Sequence, residues 1–104
     1  MRINLYDELL ADAAGMLASL GHFEAELFRL GLGLSPNGEL QAGGRAKTYV
    51  DKLEPEAHGQ AYRAVLERAK ELEQLLATGQ LPHAPMPLLQ ELGQQRLNQP
   101  LRGA

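Results

Sequence analysis

The longest regular pattern of apolar and polar positions lies between Pro55 and Gly79. Pro55 suits the first helical turn, where its missing N–H has no partner to lose, and Gly79 suits the left-handed position beyond the last turn. Between them, apolar residues recur at steps of three and four, which predicts one long amphipathic helix over about residues 55–78. Its apolar stripe consists of Tyr62, Val65, Leu66, Ala69, Leu72 and Leu76.

Shorter periodic segments predict four further helices. Asn4 can cap the first, over residues 5–20, and Gly21 ends it. The others are expected over residues 22–30, 45–53 and, after the long helix, about 87–97. The residues predicted to face inward on these helices are Tyr6, Leu9, Leu10, Ala13, Leu17 and Leu20; Phe23, Leu27 and Leu30; Tyr49, Val50 and Leu53; and Leu88, Leu89 and Leu92.

Glycine and proline mark the segments between the helices. Residues 31–44 contain five glycines and a Ser-Pro-Asn-Gly turn signal, so a glycine-rich loop is expected there. Residues 81–87 contain three prolines and are expected to form an extended connector. The end of the chain is rich in glutamine, and a frayed tail is expected over residues 98–104.

Composition supports an all-α fold with four or five helices in one domain over residues 1–104. Hydrophobic residues make up 44% of the chain but aromatic residues only 5%, so Leu and Ala dominate the core. Both are strong helix formers, whereas the β-branched residues that favour strands are few: Ile3, Thr48, Val50, Val65 and Thr78. A Cys-free sequence has no disulfide or thiolate metal site, and a cytoplasmic location is expected.

Charge and hydropathy disfavour two classes of partner. Asp7, Glu8 and Asp12 interrupt the early apolar residues, and no run approaches the roughly 18 apolar residues that would span a bilayer. No membrane partner is therefore expected. The net charge of −3 lacks the basic excess that is typical of proteins that bind nucleic acids.

No pattern of catalytic or metal-binding residues emerges. His22, His58 and His83 are far apart in the sequence. On a helix, His22 and Glu24 would point about 200° apart. Glu54 and His58, four residues apart, are expected to form a solvated pair. With Ser19 and Ser35 as the only serines and no cysteine, we predict no enzyme, no metal and no cofactor.

One glycine spacing resembles part of a phosphate-binding loop. Gly38 and Gly43 are five residues apart, but Gly44 occupies the place of the essential lysine, and Lys47 and Thr48 follow three residues late. A flexible loop between helices is the favoured interpretation.

The sequence favours a non-catalytic protein–protein interaction module, such as an adaptor, an inhibitor or a chaperone-like protein. The long stripe is close to a heptad seam over about two heptads, so it packs either inside the bundle or against another protein, with a homodimer as one form. Several leucines near loops have no evident place in a small bundle. The predicted interface residues are Leu32, Leu34, Leu40, Tyr62, Val65, Leu72, Leu76 and Met86.

A nucleic-acid-associated accessory protein is the alternative. Arg45, Lys47 and Lys52, with Tyr49 between them, could contact phosphates from one helical face. Acidic residues interleaved with these cations would cancel most of their field, which ranks this function below protein binding.

Overall fold

The computed structural model describes residues 4–95 and 99–103. Four α-helices and one 3-10 helix run in the order α1 (Leu5–Leu20), α2 (Ala25–Leu32), the 3-10 helix (Arg45–Val50), α3 (Pro55–Ala77) and α4 (Pro85–Leu92). The described residues contain no β-strand beyond an isolated bridge, and the helices enclose one hydrophobic core. The predicted all-α class is confirmed.

α1 has the bounds and the caps that the sequence predicts. Oδ1 of Asn4 accepts a hydrogen bond from the N–H of Asp7 at 2.8 Å, and Gly21 has a left-handed backbone (φ 80°) beyond the last turn. The two ends of the helix thereby satisfy part of their free backbone groups. Leu20, predicted to face inward, is exposed at the last turn.

α2 differs from the prediction in both its bounds and its buried face. The helix begins at Ala25 because the carboxylate of Glu73, on α3, accepts the Ala25 N–H at 2.9 Å. It ends at Leu32, before Gly33, so Gly31 lies inside it. Its buried residues are Ala25, Phe28 and Leu32, whereas Leu27 and Leu30, predicted to face inward, are exposed.

The glycine segment, residues 33–44, folds back on itself rather than extending into solvent. Ser35 to Gly38 forms the predicted turn, with the Gly38 N–H donating to the Ser35 carbonyl at 2.9 Å. Leu34 and Leu40 form an antiparallel bridge, and Leu34 belongs to the core. The segment therefore contributes to the packing of the bundle.

α3 is the central helix and confirms the predicted long helix. Every residue of its apolar stripe, from Tyr62 to Leu76, is buried. α1, α2 and the 3-10 helix all contact α3. A helix was predicted over residues 45–53, and the structure has a shorter 3-10 helix there, Arg45–Val50. Ala46 and Val50 are buried in it, whereas Leu53 lies beyond its end and is exposed.

α4 begins within the predicted connector. Pro85 occupies the first helical turn, where its missing N–H costs nothing, so only the start of residues 81–87 is non-helical. α4 packs on α1, and the Tyr6 hydroxyl donates to the Leu92 carbonyl at 3.1 Å. Burial raises the pKa of Tyr6 to about 12, against an opposing effect of Arg68.

The C-terminal segment, residues 99–103, is docked, which differs from the predicted frayed tail. Leu101 joins the core, and its N–H donates to the Glu71 carboxylate at 2.8 Å. The side-chain amide of Gln95 bonds both the N–H and the carbonyl of Arg102. Asn98 and Ala104, at the two ends of the predicted tail, and Leu97, at the end of the predicted last helix, lie outside the described residues.

Candidate interaction surface

Most of the predicted interface residues lie in the core of the chain itself. Two, Leu40 and Met86, remain exposed, at 39% and 65%. The other six are covered because α1, α2 and the glycine segment close over α3, so no partner reaches them in this conformation. These six residues are Leu32, Leu34, Tyr62, Val65, Leu72 and Leu76. Of the two interpretations of the stripe, packing inside the bundle is therefore the one that the structure shows.

An open groove runs along the side of α3 that adjoins the buried stripe. Its volume is about 630 Å³. Ala57, Ala61 and Ala64 line it at steps of four and three, so they follow one line along the helix. Leu53 and Pro100 add larger apolar surface from outside α3. We call this feature the α3 groove.

A smaller apolar pocket adjoins the α3 groove. It has a volume of about 200 Å³ and shares Leu53 and Ala61 with the groove. Leu5, Tyr49 and Val50 complete most of its wall. Leu53 is 46% exposed at the junction, so the two depressions form one continuous surface.

A compensated charge lies in the wall of the α3 groove. The Arg68 guanidinium is buried, and its Nε and Nη2 atoms contact the two carboxylate oxygens of Glu71 at 2.8 and 2.9 Å. Glu67, 70% exposed, lies 3.6 Å away. Glu71 also accepts the Leu101 N–H, so this ion pair fixes the C-terminal segment beside the groove.

The sequence contains a signal for the α3 groove, and small residues carry it instead of large apolar ones. Ala57, Ala61 and Ala64 repeat at helical spacing next to the predicted stripe. Alanine is also the commonest strong helix former, so the same pattern is typical of a plain solvent-facing turn. Only the position of Leu53 and Pro100 turns the line of alanines into a groove.

α2 presents a second apolar feature. Leu27 and Leu30, three residues apart on one face, are 42% and 60% exposed. Both were predicted to face inward together with Phe23, but Phe23 precedes α2 and therefore does not define its buried face.

The residues proposed for a nucleic-acid face differ in their surroundings: Lys47 and Lys52 are exposed, whereas Arg45 is paired with acidic residues. Arg45 is held by α1: its Nη1 contacts the Glu8 carboxylate at 3.0 Å, and its Nη2 lies 3.5 Å from Asp12. Its Nε donates to the Gly31 carbonyl at 2.7 Å, and Nη1 to the Tyr49 hydroxyl at 2.8 Å. This charge is therefore largely neutralised, which weakens the alternative function.

The carboxyl group of Asp12, beside Arg45, has a shifted pKa. Burial raises its pKa to about 6, assisted by the hydrogen bond and the negative charge of Glu8, while Arg45 acts in the opposite direction. The Tyr49 pKa is also raised, mainly by burial.

Two of the three histidines, His22 and His58, make contacts with residues nearby in the sequence. His22 and Glu24 both precede α2, so the helical angle expected between them does not apply, and Nε2 of His22 lies 2.7 Å from Glu24. That contact raises the pKa of His22. His58 bonds the Leu53 carbonyl instead of Glu54. Among the residues that the structure describes, no three potential ligands come together.

One of the two glycines whose spacing resembles a phosphate-binding loop has a packing role in the structure. Gly38 packs on the side chain of Arg63, where an added Cβ would lie 2.9 Å from Cγ. The glycine segment leads into a six-residue 3-10 helix.

No helix over the described residues is long and apolar enough to span a membrane.

Comparison with known proteins identifies one relationship. No curated protein and no solved structure matches the chain significantly. The model of one protein family matches residues 1–97, which is nearly the whole of the 104-residue sequence. The chain therefore belongs to the family of unknown function DUF7005.

Proposed function

We propose that the chain is a non-catalytic protein-interaction module that binds a helix of another protein in the α3 groove. The observation that carries this proposal is the continuous surface formed by the groove and the adjoining pocket around the exposed Leu53. Apolar surface of this kind, left open between helices, is typical of helix-in-groove recognition.

The shape of the groove favours a helical partner. Ala57, Ala61 and Ala64 project little from α3, so a second helix can approach at the short end of the usual 8–10 Å between axes. A large apolar side chain of that helix would fill the pocket between Tyr49 and Leu53. Aromatic and aliphatic anchors in such pockets supply most of the binding energy in comparable complexes.

The charges around the groove suit specificity more than affinity. Glu67 stands exposed beside Arg68, whose own charge is compensated by Glu71. Gln60 adds a polar group on the same side. A polar rim around an apolar centre is the usual anatomy of a protein interface, and the Glu67 carboxylate would favour a basic residue on the partner.

The oligomeric state and the cellular location of the protein are also proposals. A second copy of the chain is one candidate for the partner, which would make the protein a homodimer. A cytoplasmic location agrees with the cysteine-free sequence. The nucleic-acid alternative has less support, because Arg45 is engaged by Glu8 and Asp12.

Site-specific photocrosslinking in the native cell tests the proposal. A photoreactive amino acid at position 64, in the groove, should give a discrete crosslinked product, whereas the same residue at the exposed Ala18 on α1 should not. A product of twice the chain mass would identify a homodimer. When Ala61→Arg is introduced into the chain that carries the photoreactive residue at position 64, the crosslinked product should fall at least about tenfold. A loss of about 1.4 kcal/mol of binding free energy suffices for that factor.

Folding is the control for this experiment. Circular dichroism of Ala61→Arg should match that of the unmodified chain, because Ala61 is only partly buried. Equal crosslinking from positions 64 and 18, or a product unaffected by Ala61→Arg in a folded variant, would contradict the proposal.

A further inference from the structure

Arg45 joins three elements of the fold at one point. Its own 3-10 helix supplies the side chain, α1 supplies the carboxylates of Glu8 and Asp12, and α2 supplies the carbonyl of Gly31. Gly31 lies in the last turn of α2, just before the glycine segment, and Arg45 directly follows it, so their 2.7 Å hydrogen bond joins the elements on either side of the segment. Arg45 therefore ties the start of the 3-10 helix to both α1 and α2.

The cluster contains two acids for one base. Glu8 and Asp12 are one helical turn apart on α1, and their side chains are only 12% and 27% exposed. From the 3-10 helix, the charged or titratable groups that face them are Arg45 and Tyr49, while α2 contributes the uncharged Gly31 carbonyl. Two ionised carboxylates beside a single guanidinium leave one negative charge uncompensated in a partly desolvated place.

We infer that Glu8, Asp12 and Arg45 form a proton-dependent clasp that closes the glycine segment and the 3-10 helix onto α1. When the carboxyl pair carries one proton, Asp12 donates to Glu8 and the remaining charge is balanced by Arg45. When the proton leaves, the two carboxylates repel each other, and opening the clasp restores the water around Asp12.

The direction of this pH dependence follows from the difference in the pKa of Asp12 between the closed and the open clasp. The pKa of Asp12 is raised from 3.8 to about 6 in the closed state, so the closed clasp binds the proton more tightly than an open one. The resulting stabilisation is fully present below the ordinary pKa and is lost as the pH rises through about 6. Opening should therefore become more frequent from pH 4.5 to pH 7, by at least about tenfold.

Amide hydrogen exchange on the full chain tests the clasp. After correction for intrinsic exchange rates, the opening constants of Ala46 to Val50 should rise at least about tenfold from pH 4.5 to pH 7, relative to those of α3. Asp12→Asn imitates the protonated acid and should keep these amides closed at both pH values. Asp7→Asn, an exposed neighbour on α1, should behave as the unmodified chain.

A carbon-13 NMR titration of the Asp12 carboxyl group gives an independent measurement on the unmodified chain. A midpoint near pH 6 would support the clasp even if Asp12→Asn fails to fold. A midpoint near pH 4, opening constants that do not change with pH, or an undiminished pH dependence in folded Asp12→Asn would each overturn the inference.

Discussion

At the scale of single residues, glycines show how closely the chain packs. A Cβ built on Gly33 would lie 2.4 Å from the Cα of Gly44, and Gly33 also has a positive φ of 76°. Gly43 has nearly the same φ of 75°, yet an added Cβ there would meet nothing within 4 Å. The two positions therefore share a backbone requirement and differ in the space around them.

This pair gives a matched prediction. Gly43→Ala should lower the free energy of unfolding by about 1–2 kcal/mol, the usual cost of a left-handed conformation for a residue with a side chain. Gly33→Ala should cost about 2–5 kcal/mol, because the same strain is joined by overpacking against Gly44. Urea denaturation of both variants measures the difference. Equal losses of unfolding free energy would contradict the prediction, because they would show that the close approach of Gly33 to Gly44 adds nothing to the cost of a side chain.

At the scale of elements, a side chain from a distant helix decides where α2 begins. The Glu73 carboxylate on α3 accepts the Ala25 N–H, while the N-cap residue Glu24 makes no side-chain cap and contacts His22 instead. An acidic group at a helix N-terminus also complements the helix dipole. In the helix that begins there, Ala25, Phe28 and Leu32 form the buried face, and Leu27 and Leu30 are exposed.

Removal of this distant cap should have a measurable cost. We expect Glu73→Ala to lower the free energy of unfolding by about 1 kcal/mol, as the loss of other helix caps does. Gln74→Ala, one residue further on the exposed side of α3, serves as the control and should change stability by less than about 0.5 kcal/mol. Chemical denaturation compares them. If both variants are equally stable, the contact between Glu73 and Ala25 does not hold α2 in place.

At the scale of the whole molecule, α3 organises the fold. Its stripe is enclosed by α1, α2 and the 3-10 helix, while α4 and Leu101 extend the same core from the other end of the chain. The central position of α3 explains why one of its sides is wholly buried and why the adjacent side, at Ala57, Ala61 and Ala64, is left as a groove.

A pair of leucine substitutions tests this organisation. Leu72 is fully buried, so Leu72→Ala should lower the free energy of unfolding by about 2–5 kcal/mol through lost burial and a residual cavity. Leu30, 60% exposed, should tolerate the same change within about 0.5 kcal/mol. Thermal unfolding followed by circular dichroism measures both. A mild effect of Leu72→Ala would contradict a core built around α3.

The sequence by itself determined the elements whose signals are local. The stripe from Tyr62 to Leu76, the Asn4 cap and the Gly21 stop act within a few residues of one another, so they predict α3 and α1 correctly. Composition was sufficient for the all-α class, since helix formers are abundant and β-branched residues are few.

The tertiary structure decided what depends on contacts between distant residues. Glu73 sets the start of α2, Glu71 holds the N–H of Leu101 from 30 positions away, and the clasp joins Arg45 to Glu8. No periodic pattern encodes such pairings, because each depends on how the helices are arranged after they form. For the same reason the sequence did not reveal the α3 groove, which exists only where Leu53 and Pro100 come to lie beside the alanines of α3.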